Sequence, residues 1–413
     1  MCDIESYCYL PLLEETGYVP KHKYSFGAEI RSQNERASKY YGIQGQFCTK
    51  IESKIWDEDK PESFTVFAEF VIVAAGVLNI PKIPKLPGWE IFRDKKHVFH
   101  SSRWDYNYTG GTQERPDLVK LKDKTVAIIG TGATSVQIVP ELAKWAKQVY
   151  VVQRTPSYCG YRGNRLTDEE HFKALSKEEG WQRNRRLNFN TWTTNNPAAF
   201  ELNLVDDGWT HTPAGAGLLG SSRKIIEPKD IEEHIKYLHK IDRPRTDLLR
   251  KRIDEVVKDK DTAEKLKPWY GSWCKRPTFH DDYLEAFNQP NVTLIDTDGK
   301  GVEAFSESGL VIGGTNYEVD ALVLATGFIS GGNADPSEKL GAIKGNNGKT
   351  ISDKFRTAEN PPLFGLAMTD FPNLFGHFNR GAPGAWNFTS VYDMIAKHVA
   401  HVLRQAHAHA KAG

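Results

Sequence analysis

Apolar residues fall along the chain in short, separated runs, and the spacing inside each run predicts its element. Phe64-Thr-Val-Phe-Ala-Glu-Phe-Val-Ile-Val-Ala-Ala-Gly76 reads as a strand that finishes in a turn of small residues, and Gly45 to Trp56 as a strand before it. Pro81, Pro84 and Pro87 each fix φ and remove a backbone donor, which predicts an extended connection. Val126-Ala-Ile-Ile129 and Val149-Tyr-Val-Val-Gln153 then read as strands on either side of a helix. From Thr167 to Lys267 the chain is rich in charge. Helical periodicity in Ile231 to His239 and Leu248 to Val257 makes this stretch a helical insertion. Strands resume at Val292 to Asp296, Leu310 to Ile312 and Ala321 to Phe328, and an amphipathic helix is predicted from about Ser390 to His407. The first forty residues are polar and aromatic without a clear period, and no internal repeat is present.

The junction between the strand at Val126 and its helix carries the strongest chemical signal. Gly130-Thr131-Gly132-Ala133-Thr134-Ser135 follows the strand directly. In such a unit the first glycine permits the tight turn and the second lets a pyrophosphate approach the backbone, while the helix start offers free N–H groups and its positive dipole end. Ser135 replaces the usual third Gly or Ala but is still small enough for close helix-to-strand packing. The second strand runs into Arg154-Thr155, so a cation stands where an acidic residue would accept the ribose hydroxyls of NAD. A guanidinium there prefers a 2′-phosphate, and the unit is read as an NADP(H) site.

Composition narrows the classes. With 413 residues the chain can hold two or three domains, and a net charge of +1 provides no field that would draw nucleic acid or a membrane surface. No apolar run reaches the roughly 18 residues of a spanning helix, and the N-terminal residues show no basic flank before an apolar stretch. A soluble, cytoplasmic protein is expected. The 5 cysteines are scattered, without a Cys-x-x-Cys pair, and read as free thiols rather than metal ligands or a disulfide framework. His407 and His409 alternate with alanine; a solvated helix end is the stronger reading there, a metal tail the weaker. An aromatic content of 11% suits a protein with ligand pockets.

Val71-Ile-Val-Ala-Ala-Gly76 and Leu322-Val-Leu-Ala-Thr-Gly-Phe328 end alike, in small residues that leave space for a cofactor beside the backbone. Between them lies Phe99-His100-Ser101-Ser-Arg-Trp104-Asp105. This resembles the second half of the fingerprint of Baeyer–Villiger monooxygenases, Phe-x-Gly-x-x-x-His-(Thr/Ser)-x-x-Trp-(Pro/Asp). The first half departs from it: Phe92 lies two residues too far from His100 and the glycine is absent. Cys2-Asp3-Ile-Glu-Ser-Tyr-Cys-Tyr9, Trp269-Tyr-Gly-Ser-Trp-Cys-Lys275-Arg276-Pro277, Asp281 to Val292 and Phe371-Pro-Asn-Leu-Phe375 resemble further segments of the family.

The resemblance implies an α/β fold with two Rossmann-like dinucleotide-binding domains, one for FAD and one for NADP(H), and the helical insertion in the second. Residues 1–118 and 320–413 would form the FAD domain. Residues 119–319 would form the NADP domain, with the insertion at about 165–267. The glycine-rich unit with which family members begin is not found before Cys2, so the FAD domain is expected to be incomplete and the chain to be an N-terminally truncated member.

The resemblance further implies that NADPH reduces FAD, that dioxygen is activated, and that an oxygen anion attacks a ketone carbonyl to give an ester or lactone. Arg276 and Asp3 become the candidate catalytic pair, the guanidinium stabilising negative charge and the carboxylate holding it. Lys275 would join Arg154 and Thr155 at the 2′-phosphate. Asp3, Tyr9 and Ile51 would contact the flavin region, and His100 and Trp104 would act conformationally rather than as acid or base. Partners are then a small-molecule ketone and dioxygen, with no metal. An N- or S-oxidising flavin monooxygenase and a non-catalytic NADP(H)-binding remnant stand as alternatives. Neither the identity of the ketone nor the oligomeric state is legible from the residues.

Overall fold

The computed structural model describes residues 3–43, 67–74, 76, 78, 80–196, 201–220, 225–329, 343–356, 362–378 and 384–412. Five runs assemble into one sheet: His97–His100 (β1), Thr125–Ile129 (β2), Gln148–Gln153 (β3), Val292–Asp296 (β4) and Ala321–Leu324 (β5). The spatial order is β1-β5-β2-β3-β4, and every pairing is parallel. Parallel strands must be covered on both faces, which is why β2 and β5 read as unbroken apolar runs rather than alternating ones.

The pleat divides those runs cleanly. Val126, Ile128, Val149, Val151, Ala321 and Val323 enter one core with Val136, Val139 and Leu142 of the helix Ser135–Trp145. Ala127, Val152, Leu322 and Leu324 enter the opposite core, with Trp89 and Phe92 of the helix Trp89–Lys95 and with Phe305, Leu310 and Ile312. Phe305 to Ile312 belong to a small antiparallel sheet, which therefore caps that face. Each fully buried Val, Leu or Ile contributes about 1.5–3 kcal/mol relative to exposure.

The sheet crosses the domain boundaries expected at 118/119 and 319/320. β1 and β5 both lie in it, β5 between β1 and β2, where it pairs with β2 from Ala321↔Val126 to Leu324↔Ile129. Strand β5 is apolar on both faces and finds that environment only between two other strands. Of the strand predicted over 64–76, Val71–Val73 forms, pairing in parallel with Leu374–Gly376; the strand predicted at 45–56 lies outside the described residues.

The charged stretch is helical as expected. Its two periodic segments are one 26-residue helix, Ile231–Val256, which continues through Pro244. Beside the proline the helix is anchored: buried Asp242 accepts from Ser272 N at 3.2 Å, from the Ser272 hydroxyl and from Thr246 Oγ1 at 2.9 Å. The last helix runs from Phe388 to Ala412.

The first described residues pack on the insertion. Glu5 and Arg185 form a two-point ion pair at 2.6 and 2.8 Å, both side chains buried. The short helix Ser6–Tyr9 is thereby fixed against Trp181–Thr193. This docking brings Asp3 to Arg276 and Trp209, 273 and 206 positions further along the chain.

Candidate active site

At the carboxyl edge of the sheet the nucleotide turn forms as the sequence predicts. Gly130 has φ +108°, and a Cβ there would stand 2.6 Å from the Ala325 carbonyl oxygen. No side chain fits. Gly132 is different: its φ is ordinary and a Cβ would meet nothing within 4 Å, so the space beside it is open to a ligand. Thr131 Oγ1 donates to the Thr155 carbonyl at 2.6 Å, tying the turn to the end of β3. Ser135 Oγ donates to the Gly130 carbonyl at 2.5 Å and is fully buried, so the serine that replaces the third glycine holds the turn closed. Thr134 makes no side-chain cap at the start of the helix Ser135–Trp145, and the N–H groups of Val136, Gln137 and Ile138 turn back to the Gly132 and Thr134 carbonyls, so the open face of the turn lies at Gly132 to Thr134, beside half-buried Ala133. A diphosphate fits such a cradle.

Arg154 and Lys275 are both exposed at this edge. The lysine's pKa is lowered, first by desolvation and then by the positive charge of Arg154, so the two cations face a common space. Lys275 also lies 5.0 Å above the Tyr270 ring. Two like charges brought together suit a doubly charged anion such as a 2′-phosphate.

Next to Lys275, Arg276 makes a fork on Asp3: Nη1 to Oδ2 at 2.8 Å and Nη2 to Oδ1 at 2.9 Å. The carboxylate side chain is 15% exposed and the guanidinium 42% exposed, so the pair is solid at one end and open at the other. Beneath it lies Trp209, with Arg276 Cζ 4.9 Å from its ring centroid. The indole Nε1 donates to the Asp3 backbone carbonyl at 2.8 Å. Trp386 and Phe279 pack on the indole with centroids 4.9 and 5.0 Å away. Tyr9 is half-buried against the same cluster, and Ile51 lies outside the described residues.

Two carboxylates, Asp207 and Asp281, hold the backbone around this pair. Asp207 Oδ1 accepts the N–H groups of Trp209 and Thr210 at 3.0 and 3.1 Å, and its Oδ2 accepts the Tyr24 hydroxyl at 3.1 Å. Burial raises the Asp207 pKa, against the pull of those bonds. Asp281 accepts three successive N–H groups, from Arg162, Gly163 and Asn164, at 3.0, 2.7 and 3.0 Å. Burial works to raise its pKa, but the three donors and the Arg162 guanidinium hold it below the ordinary value. Asp281 follows Arg276 closely in sequence, which was a usable signal. Asp207 and Trp209 lie in an aperiodic stretch of the insertion and carried none.

His100 is buried. Its Nδ1 accepts from Ser102 N at 3.2 Å, which leaves Nε2–H to donate to the Gly327 carbonyl at 3.0 Å. Desolvation lowers its pKa, keeping it neutral. It thus ties the end of β1 to the turn after β5, where Phe328 bridges to Pro81 of the proline connection. Trp104 donates from Nε1 to Thr109 Oγ1 at 3.0 Å and packs edge-on against Phe99. Among the described residues, Cys8, Cys159 and Cys274 are free thiols, no group of three potential metal ligands occurs, and no helix is long and apolar enough to cross a membrane.

Several known proteins are similar to nearly the whole of this chain. The polycyclic ketone monooxygenase of Thermothelomyces thermophilus is 41% identical over 430 residues, covering 98% of this chain and 65% of that protein. Its solved structure matches with a TM-score of 0.89 at 40% identity, covering 99% of this chain and 68% of that one. The FAD-binding monooxygenase ausC of Emericella nidulans is 40% identical over 432 residues, covering 98% of this chain and 62% of that protein. The Baeyer–Villiger monooxygenase ATR8 of Stachybotrys chlorohalonatus is 39% identical over 412 residues, covering 98% and 64%. No family model matches the chain. The chain belongs to the Baeyer–Villiger monooxygenase family, and its nucleotide-binding sheet is the Rossmann-like α/β unit of that family. It spans 65% of the length of the first of these relatives.

Proposed function

We propose that this chain works with FAD and NADPH to insert one oxygen atom of dioxygen beside a ketone carbonyl, giving an ester or lactone in secondary metabolism. The observation that carries the reading is the Asp3–Arg276 fork, open on one side and adjacent to the Lys275–Arg154 pair. The relative called a polycyclic ketone monooxygenase supports a polycyclic ketone as substrate class.

Residues of this chain suit both cofactors to different degrees. The open space at Gly132 and the uncapped helix start fit the NADP(H) diphosphate, with Arg154, Thr155 and Lys275 at the 2′-phosphate. For FAD, the described residues offer a face made of Asp3, Tyr9 and Arg276; a second glycine-rich phosphate turn is not among them. When bound, FAD supplies the redox chemistry, taking a hydride from NADPH and activating dioxygen.

The protein's own part is electrostatic. A guanidinium stays charged at any working pH and carries its donors in a fixed fork, so Arg276 stabilises negative charge on the attacked carbonyl oxygen without a proton transfer. Asp3 takes both terminal nitrogens of that fork and Pro277 O accepts a second bond from Nη1, so the guanidinium is fixed while part of it stays exposed toward the site. Trp209 and Phe279 exclude water from below. The neutral, hydrogen-bonded His100 holds the sheet edge to the connecting segment and moves no proton. The free thiols suit a reducing, cytoplasmic setting.

Arg276→Ala tests the reading. Ketone oxygenation should fall about 10²–10³-fold, as for loss of an oxyanion donor, with NADPH oxidation retained. Unchanged ester formation would instead favour N- or S-oxidation, which does not need this arginine.

A further inference from the structure

Trp209 touches both members of the Asp3–Arg276 pair, and by different means. Its ring face lies under the guanidinium at 4.9 Å, and its Nε1–H is bonded to the Asp3 main chain at 2.8 Å. We propose that Trp209 is the positioning residue of the site: the helical insertion reaches the reaction centre through this one indole, which sets the plane of Arg276 and the position of Asp3 together. The inference rests on the function proposed above for Arg276.

The indole is held as a positioning group must be. It is 1% exposed, in a cluster with Ile4, Cys8, Phe189, Val205 and Phe279. Its backbone is clamped by Asp207, whose carboxylate takes the N–H groups of both Trp209 and Thr210. Gly208 completes the clamp: a Cβ there would stand 2.3 Å from Phe279 Cε1, so only glycine lets Phe279 slide beneath the turn and support the indole edge-on. Trp386 covers a further part of the ring, 4.9 Å away and tilted by 37°. Cation–π attraction holds the guanidinium over the ring face, a constraint that the salt bridge alone does not supply. The Nε1 bond prevents the Asp3 main chain from withdrawing, so both ends of the fork refer to one rigid body.

A packing residue would influence stability alone, whereas a positioning residue must sense its partners. We would label the indoles of the full chain with 15N and assign the Trp209 Nε1–H resonance by its loss in Trp209→Phe. In Arg276→Ala and in Asp3→Asn this resonance should shift and exchange faster with water. Arg243→Ala, on an exposed part of the helix Ile231–Val256, should leave it in place. A Trp209 signal indifferent to both site substitutions overturns the proposal.

With FAD, NADPH and a ketone supplied, the second reading is the ratio of ester formed to hydrogen peroxide released. Trp209→Leu removes face and donor and should lower this ratio about tenfold or more, while Trp209→Phe keeps an aromatic face and should lose less. NADPH affinity should stay unchanged in both, and melting temperatures identify any variant that fails to fold; Trp209→Phe carries the test if Trp209→Leu does not. If Arg276→Ala lowers the ratio and the folded Trp209 variants do not, the positioning role is overturned and the function stands. If Arg276→Ala leaves the ratio intact, the function is what fails.

Discussion

Arg276 grips Asp3 at two points, 2.8 and 2.9 Å, across 273 residues of sequence. One end of the pair is open to solvent, and an exposed ion pair of this kind adds little to stability, of the order of 0–1 kcal/mol. Its geometry serves the site rather than the fold. Asp3→Asn keeps the shape but loses the charge-assisted fork, so ketone oxygenation should drop about tenfold, less than in Arg276→Ala. The double variant should be no worse than Arg276→Ala alone, because Asp3 acts through the arginine. Steady-state product assays on the three variants check this; full additivity would mean that Asp3 acts independently.

On the proposed reading Arg154 and Lys275 share one anion, and their removal should distinguish the two nicotinamide cofactors. Arg154→Ala is expected to weaken NADPH binding about 10–100-fold, in line with roughly 1.5–3 kcal/mol for a hydrogen bond to a charged group. NADH binding should hardly change. Titration calorimetry with both cofactors gives the answer, and an equal loss for both would place the arginine elsewhere than at the 2′-phosphate.

Gly130→Ala combines two penalties. The residue would be held at φ +108° and its Cβ pressed to 2.6 Å from the Ala325 carbonyl. A left-handed non-glycine costs on the order of 1–3 kcal/mol, before any displacement of the strand end is counted. Denaturant melts should show a loss of at least that size, together with weaker NADPH binding. Gly132→Ala should keep full stability, since a Cβ there meets nothing, and lose only nucleotide affinity.

His280 gives the fold a pH dependence. Burial, then the nearby Arg162 charge, push its pKa down to about 4 from the ordinary histidine value of 6.5. The unfolded chain therefore binds the proton more readily than the folded one between those values. Stability from this group is complete above pH 6.5 and is lost as pH falls toward 4, by a total of roughly 3 kcal/mol. Its Nδ1 accepts from Asp282 N at 3.1 Å, a role that asparagine can mimic. His280→Asn should flatten the stability curve between pH 7 and about 4.5, measured by urea unfolding; a slope unchanged from the parent would assign the acid sensitivity to other groups.

Much of the fold could be read because it is locally encoded. The runs at Val126 and Val149 are apolar enough to be central parallel strands, and Gly130 is fixed by steric rules that operate within a few residues. The helical insertion and the last helix follow from their period. Where reading failed, the information was not local. The two periodic segments of the insertion join into one helix through Pro244, and Asp242 anchors it there by bonds to Ser272 and Thr246 from outside the local pattern. Strand order in a parallel sheet is set by crossovers, and nothing in Ala321–Leu324 states that it lies between β1 and β2.

The sequence by itself determined the nucleotide turn, with Thr131, Ser135 and Arg154 in their places, because each depends on neighbours a few positions away. It also nominated Asp3 and Arg276, through resemblance. Only the tertiary structure decided that these two meet, that Trp209 lies beneath one and bonds the other, and that Asp207 and Gly208 fix that indole. The two contacts of Asp3 span 273 and 206 residues of sequence, and they exist only after the Glu5–Arg185 pair and the aromatic cluster have docked the first helix on the insertion.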